Sequence, residues 1–234
     1  MADPVNIVWG GAATTAINLD LNGHKLHLNT SYMSALGATN AAAVITVKNG
    51  SLDSDLTDRG TTWNIYDLIY DDCTWKFYDV TFNKAVAVDC GANVYMKDCT
   101  ITDTRDVYGL WISAKAGDVE LNNVKINMTG ADARAIAIKD QYVAKNDRKQ
   151  IKLTLTDCTF TSAKKAAVLV TNTAGANITA SGCNISAVAA DSTNLVWVDN
   201  GDISLVHTNP VETGYYSDYE ANVIVNGGTK IVEA

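Results

Sequence analysis

The sequence predicts an all-β solenoid, in which short parallel strands stack turn upon turn with three strands to each turn. Three observations point there. A motif of apolar-x-apolar, Asn or Asp, a small residue and then polar-apolar recurs along the chain. A further short apolar strand precedes most of its copies. The composition is rich in Asn, Thr, Asp, Val and Ala with only two prolines, which suits strands and tight bends rather than helices.

The copies begin at Leu19-Asp20-Leu21-Asn22-Gly23, followed by Lys25-Leu26, and continue at Ile45-Thr46-Val47-Lys48-Asn49-Gly50-Ser51-Leu52. They recur with Trp75 to Phe82, Val94 to Ile101, Val119 to Ile126, Leu153 to Phe160 and Ile178 to Ile185. The small residue falls at positions 23, 50, 80, 99, 124, 158 and 183, so successive copies lie 19 to 34 residues apart. That is the spacing of a solenoid with insertions. A degraded eighth copy is expected at Ile203-Ser204-Leu205 and the start of a ninth at Val223-Ile224-Val225, giving about eight or nine turns. The preceding strands are Val86-Ala87-Val88, Leu110-Trp111-Ile112, Ile136-Ala137-Ile138, Val168-Leu169-Val170 and Val196-Trp197-Val198.

Because side chains on a strand alternate between faces, one side of each strand fills the bore and the other faces outward. Leu26, Leu52, Phe82, Ile101, Ile126, Phe160 and Ile185 form one expected interior ladder, and Cys99, Val124, Cys158 and Cys183 another. The five cysteines (Cys73, Cys90, Cys99, Cys158, Cys183) match no zinc spacing and leave at least one unpaired, so they read mainly as small core residues. Asn22, Asn49, Asp79, Asp98, Asn123 and Asp157 mark the bend, where short polar side chains tolerate a left-handed backbone.

Three strands per turn, with this motif over nearly the whole chain, resemble the right-handed parallel β-helix of the pectin-lyase-like superfamily. That architecture hosts lyases, hydrolases, tailspikes and adhesins, so the resemblance implies fold more than function. The phrase Leu19-Asp20-Leu21-Asn22-Gly23-His24-Lys25-Leu26 resembles the opening turns of bacterial exported β-helix proteins, among them autotransporter passengers and adhesins. It implies an extracellular or bacterial cell-surface location, membership of a larger polypeptide, and a host protein or a glycan as ligand.

Residues 1–6 read as a short leading segment without the charged and apolar regions of a signal peptide, and 7–234 as one β-helix domain. Insertions are expected near 27–42, 53–66 and 141–150, with an irregular segment at 210–220. Function in a solenoid sits on outward faces and in such loops. Outward positions of the second and third strands read as ordinary solvated faces. Those of the first strand, Ile69, Ala87, Trp111, Ala137, Leu169 and Trp197, form an apolar column, and Tyr108 is a further binding candidate. Such a column is either a binding surface or a face covered by another part of the chain. Other candidates are the basic loop residues Lys145, Arg148 and Lys149, and the aromatic stretch with Tyr215, Tyr216 and Tyr219. Asp53, Asp55 and Asp58 are a weak candidate for Ca²⁺, without the EF-hand pattern; otherwise no cofactor is expected.

A formal net charge of −8 argues against nucleic acid as the main partner, and no apolar run is long enough to span a bilayer. His24, His27 and His207 are isolated, and Asp71-Asp72 lack matching carboxylates on a neighbouring turn. No acid–base pair of the kind a lyase or hydrolase needs can be read from spacing. The expectation is therefore a non-catalytic extracellular binding module. Action on an acidic polysaccharide and a purely structural stalk are the alternatives.

Overall fold

The computed structural model describes residues 16–28, 43–54, 73–89, 91–140, 143–162, 167–188, 195–199, 223–227 and 230–233. Among these there is no α-helix, only strands and one 3-10 turn at Lys145–Asp147. All strand pairing is parallel. Where a whole coil is described it runs through three strands, each paired with its equivalents on neighbouring coils.

First strands are β5 (Val86–Val88), β8 (Tyr108–Ser113), β11 (Arg134–Lys139), β14 (Val168–Thr171), β17 (Val196–Asp199) and β19 (Lys230–Glu233), which form one six-stranded sheet. Second strands are β1 (Ala16–Asp20), the first part of β3 (Val44–Ser54), the first part of β4 (Thr74–Phe82), β6 (Asn93–Lys97), β9 (Val119–Asn122), β12 (Ile151–Thr156), β15 (Ala176–Ser181) and β18 (Val223–Asn226). Third strands are β2 (Lys25–Leu28), the second parts of β3 and β4, β7 (Thr100–Asp103), β10 (Lys125–Met128), β13 (Thr159–Ser162) and β16 (Asn184–Val188).

The bend between second and third strands has one cause repeated in every coil. Asn22, Asn49, Asp79, Asp98, Asn123 and Asp157 all adopt φ between 49° and 58°, and Gly182 continues the column at φ 67°. Only Gly, Asn and Asp occupy this region at modest cost, so these positions turn the chain where a β-branched residue would resist. Within the column Asn123 Nδ2 donates to Asp98 Oδ1 at 2.7 Å, and Asn49 Nδ2 reaches Oδ1 of Asp20, two residues ahead of the bend at Asn22, at 3.0 Å.

Among the described residues the bore is lined mainly by apolar side chains. Leu52, Phe82, Ile101, Ile126 and Phe160 are buried in equivalent positions, as the sequence predicts, and Leu26 packs against them half-buried. Cys99, Val124 and Cys158 form the second ladder, with Cys183 half-buried at its end. Trp75 stacks on Phe77 with ring centroids 6.0 Å apart, and Phe77 meets Phe82 edge-on at 5.0 Å. Each such side chain contributes about 1.5–3 kcal/mol by leaving water.

One boundary differs from expectation. β18, which holds Val223-Ile224-Val225, pairs directly with β15, Ala176 against Val223 and Ile178 against Val225, so it is the copy that stacks on the seventh. The stacking edge of β15 is therefore filled by residues twenty further along the chain than the expected copy. Position 203–205, like the aromatic segment containing Tyr215, Tyr216 and Tyr219, lies outside the described residues.

Replacing Asn123 by Val should destabilise the fold by about 2 kcal/mol, since it forces a β-branched residue left-handed and removes the bond to Asp98. Asn123→Gly should lose less than half as much. Urea midpoints of the two variants, compared with the parent, check this.

Candidate functional site

Parallel in-register stacking gives the molecule three outward faces, and they differ in accessibility. On the first-strand face, Ala87, Trp111, Ala137 and Leu169 occupy one register position in successive coils. They form a hydrophobic cluster separate from the bore, against which Tyr108 packs. The column is covered: Trp111 is 6% exposed, Leu169 2%, and both alanines are buried. The expectation of an open aromatic surface here is corrected, and the alternative of a covered face holds for these residues. Ile69 and the Trp197 side chain lie outside the described residues.

The next outward position along the same strands is polar and equally buried: Ser113, Lys139 and Thr171. Lys139 Nζ donates to Tyr108 Oη at 3.1 Å and lies 5.1 Å from the centre of its ring, a cation–π contact with a hydrogen bond at its edge. Tyr108 thus carries a buried lysine. Where β11 ends, Asp140 accepts from the Thr173 backbone N–H at 3.1 Å and from the Thr173 hydroxyl, and pairs with Arg148 Nη1 at 3.3 Å. Arg148 also donates from Nε to the Val143 carbonyl at 2.9 Å and from Nη1 to Thr173 Oγ1 at 3.0 Å.

The basic loop is corrected accordingly. The Arg148 side chain is only 6% exposed, because it neutralises a fully buried carboxylate, so it clamps its loop to the next coil rather than facing a ligand. Lys145 and Lys149 remain exposed. Of the Ca²⁺ candidates, Asp53 pairs with Lys25 Nζ at 3.3 Å, whereas Asp55 and Asp58 lie outside the described residues. No group of three or more His, Cys, Asp or Glu side chains among the described residues is placed to hold a metal ion.

The second-strand face is open and more organised than its sequence suggests. Lys76 lies beside Tyr95 across β4 and β6, and one outward step further Lys48, Tyr78 and Lys97 lie side by side across β3, β4 and β6. Tyr78 and Tyr95 meet with ring centroids 5.6 Å apart and planes inclined by 51°. Both rings are half-buried and Lys97 is exposed. Burial, and then Glu120 on the next coil, raise the Tyr95 phenol above its ordinary value, so it stays protonated and able to donate. Lys48 holds Asp20 at 3.2 Å. Directly beyond, at the bend, runs a cleft of about 420 Å³ lined by Asn22, Asn49, Asp79 and Thr81. A tyrosine pair, three lysines and a row of amide and carboxylate groups therefore share one sheet edge.

Lys76 and Tyr95 stand at positions the sequence assigns to an ordinary solvated face, and Lys48, Tyr78 and Lys97 were not singled out. The available signal was the register itself: Tyr78 precedes the bend residue Asp79 as Lys48 precedes Asn49 and Lys97 precedes Asp98.

The third-strand face carries Thr81, Thr100, Lys125 and Thr159 in one row and Thr102, Asn127 and Thr161 in the next. A cleft of about 150 Å³ opens between Asn83, Lys84, Thr102, Thr104, Asn127 and Thr129, with Asp103 at its floor. Burial pushes the Asp103 carboxyl up, but donation from Arg105 and from the Ala85 N–H outweighs it, and the net shift is down. The Arg105–Asp103 contact is 2.6 Å. This pair fixes the exit from β7 beneath the cleft.

A family model described as right handed beta helix region matches residues 40–210. The chain belongs to that family. The coil is accordingly right-handed, and the expected fold class stands. No curated protein and no solved structure gives a significant match.

Two outcomes follow from the covered face and the buried carboxylate. Trp111→Ala should destabilise this β-helix by about 3 kcal/mol, read as a lower urea midpoint with unchanged slope. Asp103 has its pKa lowered by folding from 3.8. Its stabilisation is therefore complete above the unfolded value and is lost as pH falls through the lower folded value. Asp103→Asn should be less stable than the parent at pH 7 by about 2–3 kcal/mol, with the gap narrowing below about pH 4. Urea titrations between neutral and acidic pH measure that gap.

Proposed function

We propose that this β-helix is a non-catalytic extracellular binding module, part of a larger surface polypeptide, and that it recognises a glycan carrying negative charge. The observation that carries this reading is the Tyr78–Tyr95 pair set among Lys48, Lys76 and Lys97 on an open, flat sheet. Tyrosine rings offer apolar faces to the C–H side of a sugar ring and a phenol to its hydroxyls. Lysines in the next positions supply point charges for a carboxylate or sulfate. The adjacent cleft, lined by Asn22, Asn49, Asp79 and Thr81, offers donors and acceptors suited to hydroxyl groups.

Charge makes the location informative. On a chain of net charge −8, a cluster of lysines on one face is a local departure that concentrates attraction where an acidic chain would lie. A parallel sheet repeats its outward positions every 4.7–4.9 Å, so an extended polymer along the coil axis meets similar groups on successive coils. A protein ligand would find the same face flat and largely polar, with little apolar area to bury.

The test uses the whole chain and an acidic polysaccharide such as polygalacturonate, with a neutral glucan as control. Binding should be specific for the acidic polymer and weaken as salt rises. Tyr95→Ala should reduce affinity about fivefold, and Lys76→Glu with Lys97→Glu by tenfold or more, while far-UV circular dichroism stays unchanged. Equal binding of the neutral polymer, or indifference to these substitutions, would overturn the reading. Steady release of unsaturated or reducing ends would replace binding with catalysis.

A further inference from the structure

The inner ladder beside the bend holds a thiol pair whose placement exceeds what packing requires. Cys158 and Cys183 stand at equivalent positions of successive coils. Thr156 pairs with Ser181 just before them and Thr159 with Asn184 just after. Backbone bonds lock this register: Asp157 N–H donates to the Ser181 carbonyl and Asn184 N–H to the Cys158 carbonyl, both at 2.8 Å. Strands so paired lie about 4.7–4.9 Å apart, inside the roughly 4.4–6.8 Å Cα separation that a disulfide spans. Both side chains also take the same course. Cys158 Sγ lies 3.4 Å from the Thr156 carbonyl and Cys183 Sγ 3.6 Å from the Ser181 carbonyl, each bending back two residues.

The third thiol of the ladder provides an internal contrast. Cys99 bends back in the same way, to the Lys97 carbonyl at 3.3 Å, but its neighbour on the next coil is Val124. It is buried and has no sulfur beside it in the ladder. Cys158 and Cys183 differ from each other too. Cys158 is fully buried, whereas Cys183 is half-buried and reachable from solvent.

We propose that Cys158 and Cys183 form a dithiol site that reacts with low-molecular-weight disulfides and closes to a disulfide bond across two coils. Cys183 is the attacking group. Its thiolate displaces one thiolate from the small disulfide and is left as a mixed disulfide. Cys158 then gives up its proton to solvent and attacks Cys183 Sγ, expelling the second small thiolate. Two protein thiols lose two electrons and two protons, and one small disulfide becomes two small thiols. The assignment of roles agrees with the surroundings of each sulfur. The neighbouring Cys158 thiol draws the Cys183 thiol down against the effect of its burial, whereas Cys158, beside Cys183, fully buried and with Sγ also 3.5 Å from the Leu121 carbonyl, is pushed up and stays protonated until the exchange.

A bond between directly opposed residues of neighbouring strands closes a loop of moderate length and sits under geometric constraint, so it should be readily reduced as well as stabilising. The experiment treats the reduced full chain with oxidised glutathione, quenches with an alkylating agent and maps peptides by mass spectrometry. The expected result is a peptide pair joined through Cys158 and Cys183, two alkylatable thiols fewer per chain, and a thermal midpoint higher by several degrees that dithiothreitol reverses. Cys99→Ser should behave as the parent. Cys183→Ser should leave Cys158 unmodified and abolish the rise in midpoint. Cys158 and Cys183 recovered unlinked from the folded parent, or Cys183 stopping as a stable glutathione mixed disulfide, would overturn the proposal. Since the parent alone decides that outcome, a variant that misfolds leaves the conclusion intact.

Discussion

Everything in this molecule depends on parallel strands stacking in register from coil to coil. Backbone N–H and C=O groups on a strand bond along the coil axis to the strands of the neighbouring coils, so no coil satisfies its backbone alone. The register also decides which side chains meet. A slip of one residue would turn every bore residue outward, which makes the apolar ladder through Phe82, Ile101, Ile126 and Phe160 a strong constraint on the pairing. The left-handed bend column protects the register, since a coil that failed to turn at Asn123 or Asp157 would misplace its third strand.

The same constraint divides the exterior. Where coils leave their strands, the structure buries charge: Lys139 against Tyr108, Arg148 against Asp140, Arg105 against Asp103. A buried charge is tolerable only when paired and hydrogen-bonded, so these groups are committed to holding corners and cannot serve a ligand without unsatisfying a partner. Of these, Lys139 and Tyr108 sit on the first-strand face beside the buried Trp111 cluster. Ligand-accessible chemistry is left to the other two sheets. There the lysines and tyrosines are at most half-buried, and the longest residues crowd around β4 and β6.

The repeat was legible because it is written with period two along the strand and with a fixed residue type at the bend. Those signals survive coil lengths from 19 to 34 residues. The apolar column of the first strands was legible too, but not its burial, because alternation assigns a side chain to a face and does not say what lies over it. Arg148 looked like a member of a solvated basic loop. Its partners, Asp140 and Thr173, are eight and twenty-five residues away, and only stacking brings them together. The tyrosine–lysine patch was missed for a related reason. Tyr78 and Tyr95 are seventeen residues apart and become neighbours diagonally across two strands. The strand that stacks on β15 was legible at Val223-Ile224-Val225 as a copy of the motif, but its place directly after the seventh copy was not, because spacing alone does not say which copy pairs with which.

On the proposed reading the open second-strand face, and not the covered first-strand face or the basic loop, is where this β-helix meets its ligand. Lysine-reactive footprinting, with and without saturating polygalacturonate, tests it most directly. Lys76 and Lys97 should react in the free chain and be protected by the polymer, while Lys145 and Lys149 react equally in both. Protection at Lys145 and Lys149 with Lys76 and Lys97 unchanged would contradict it.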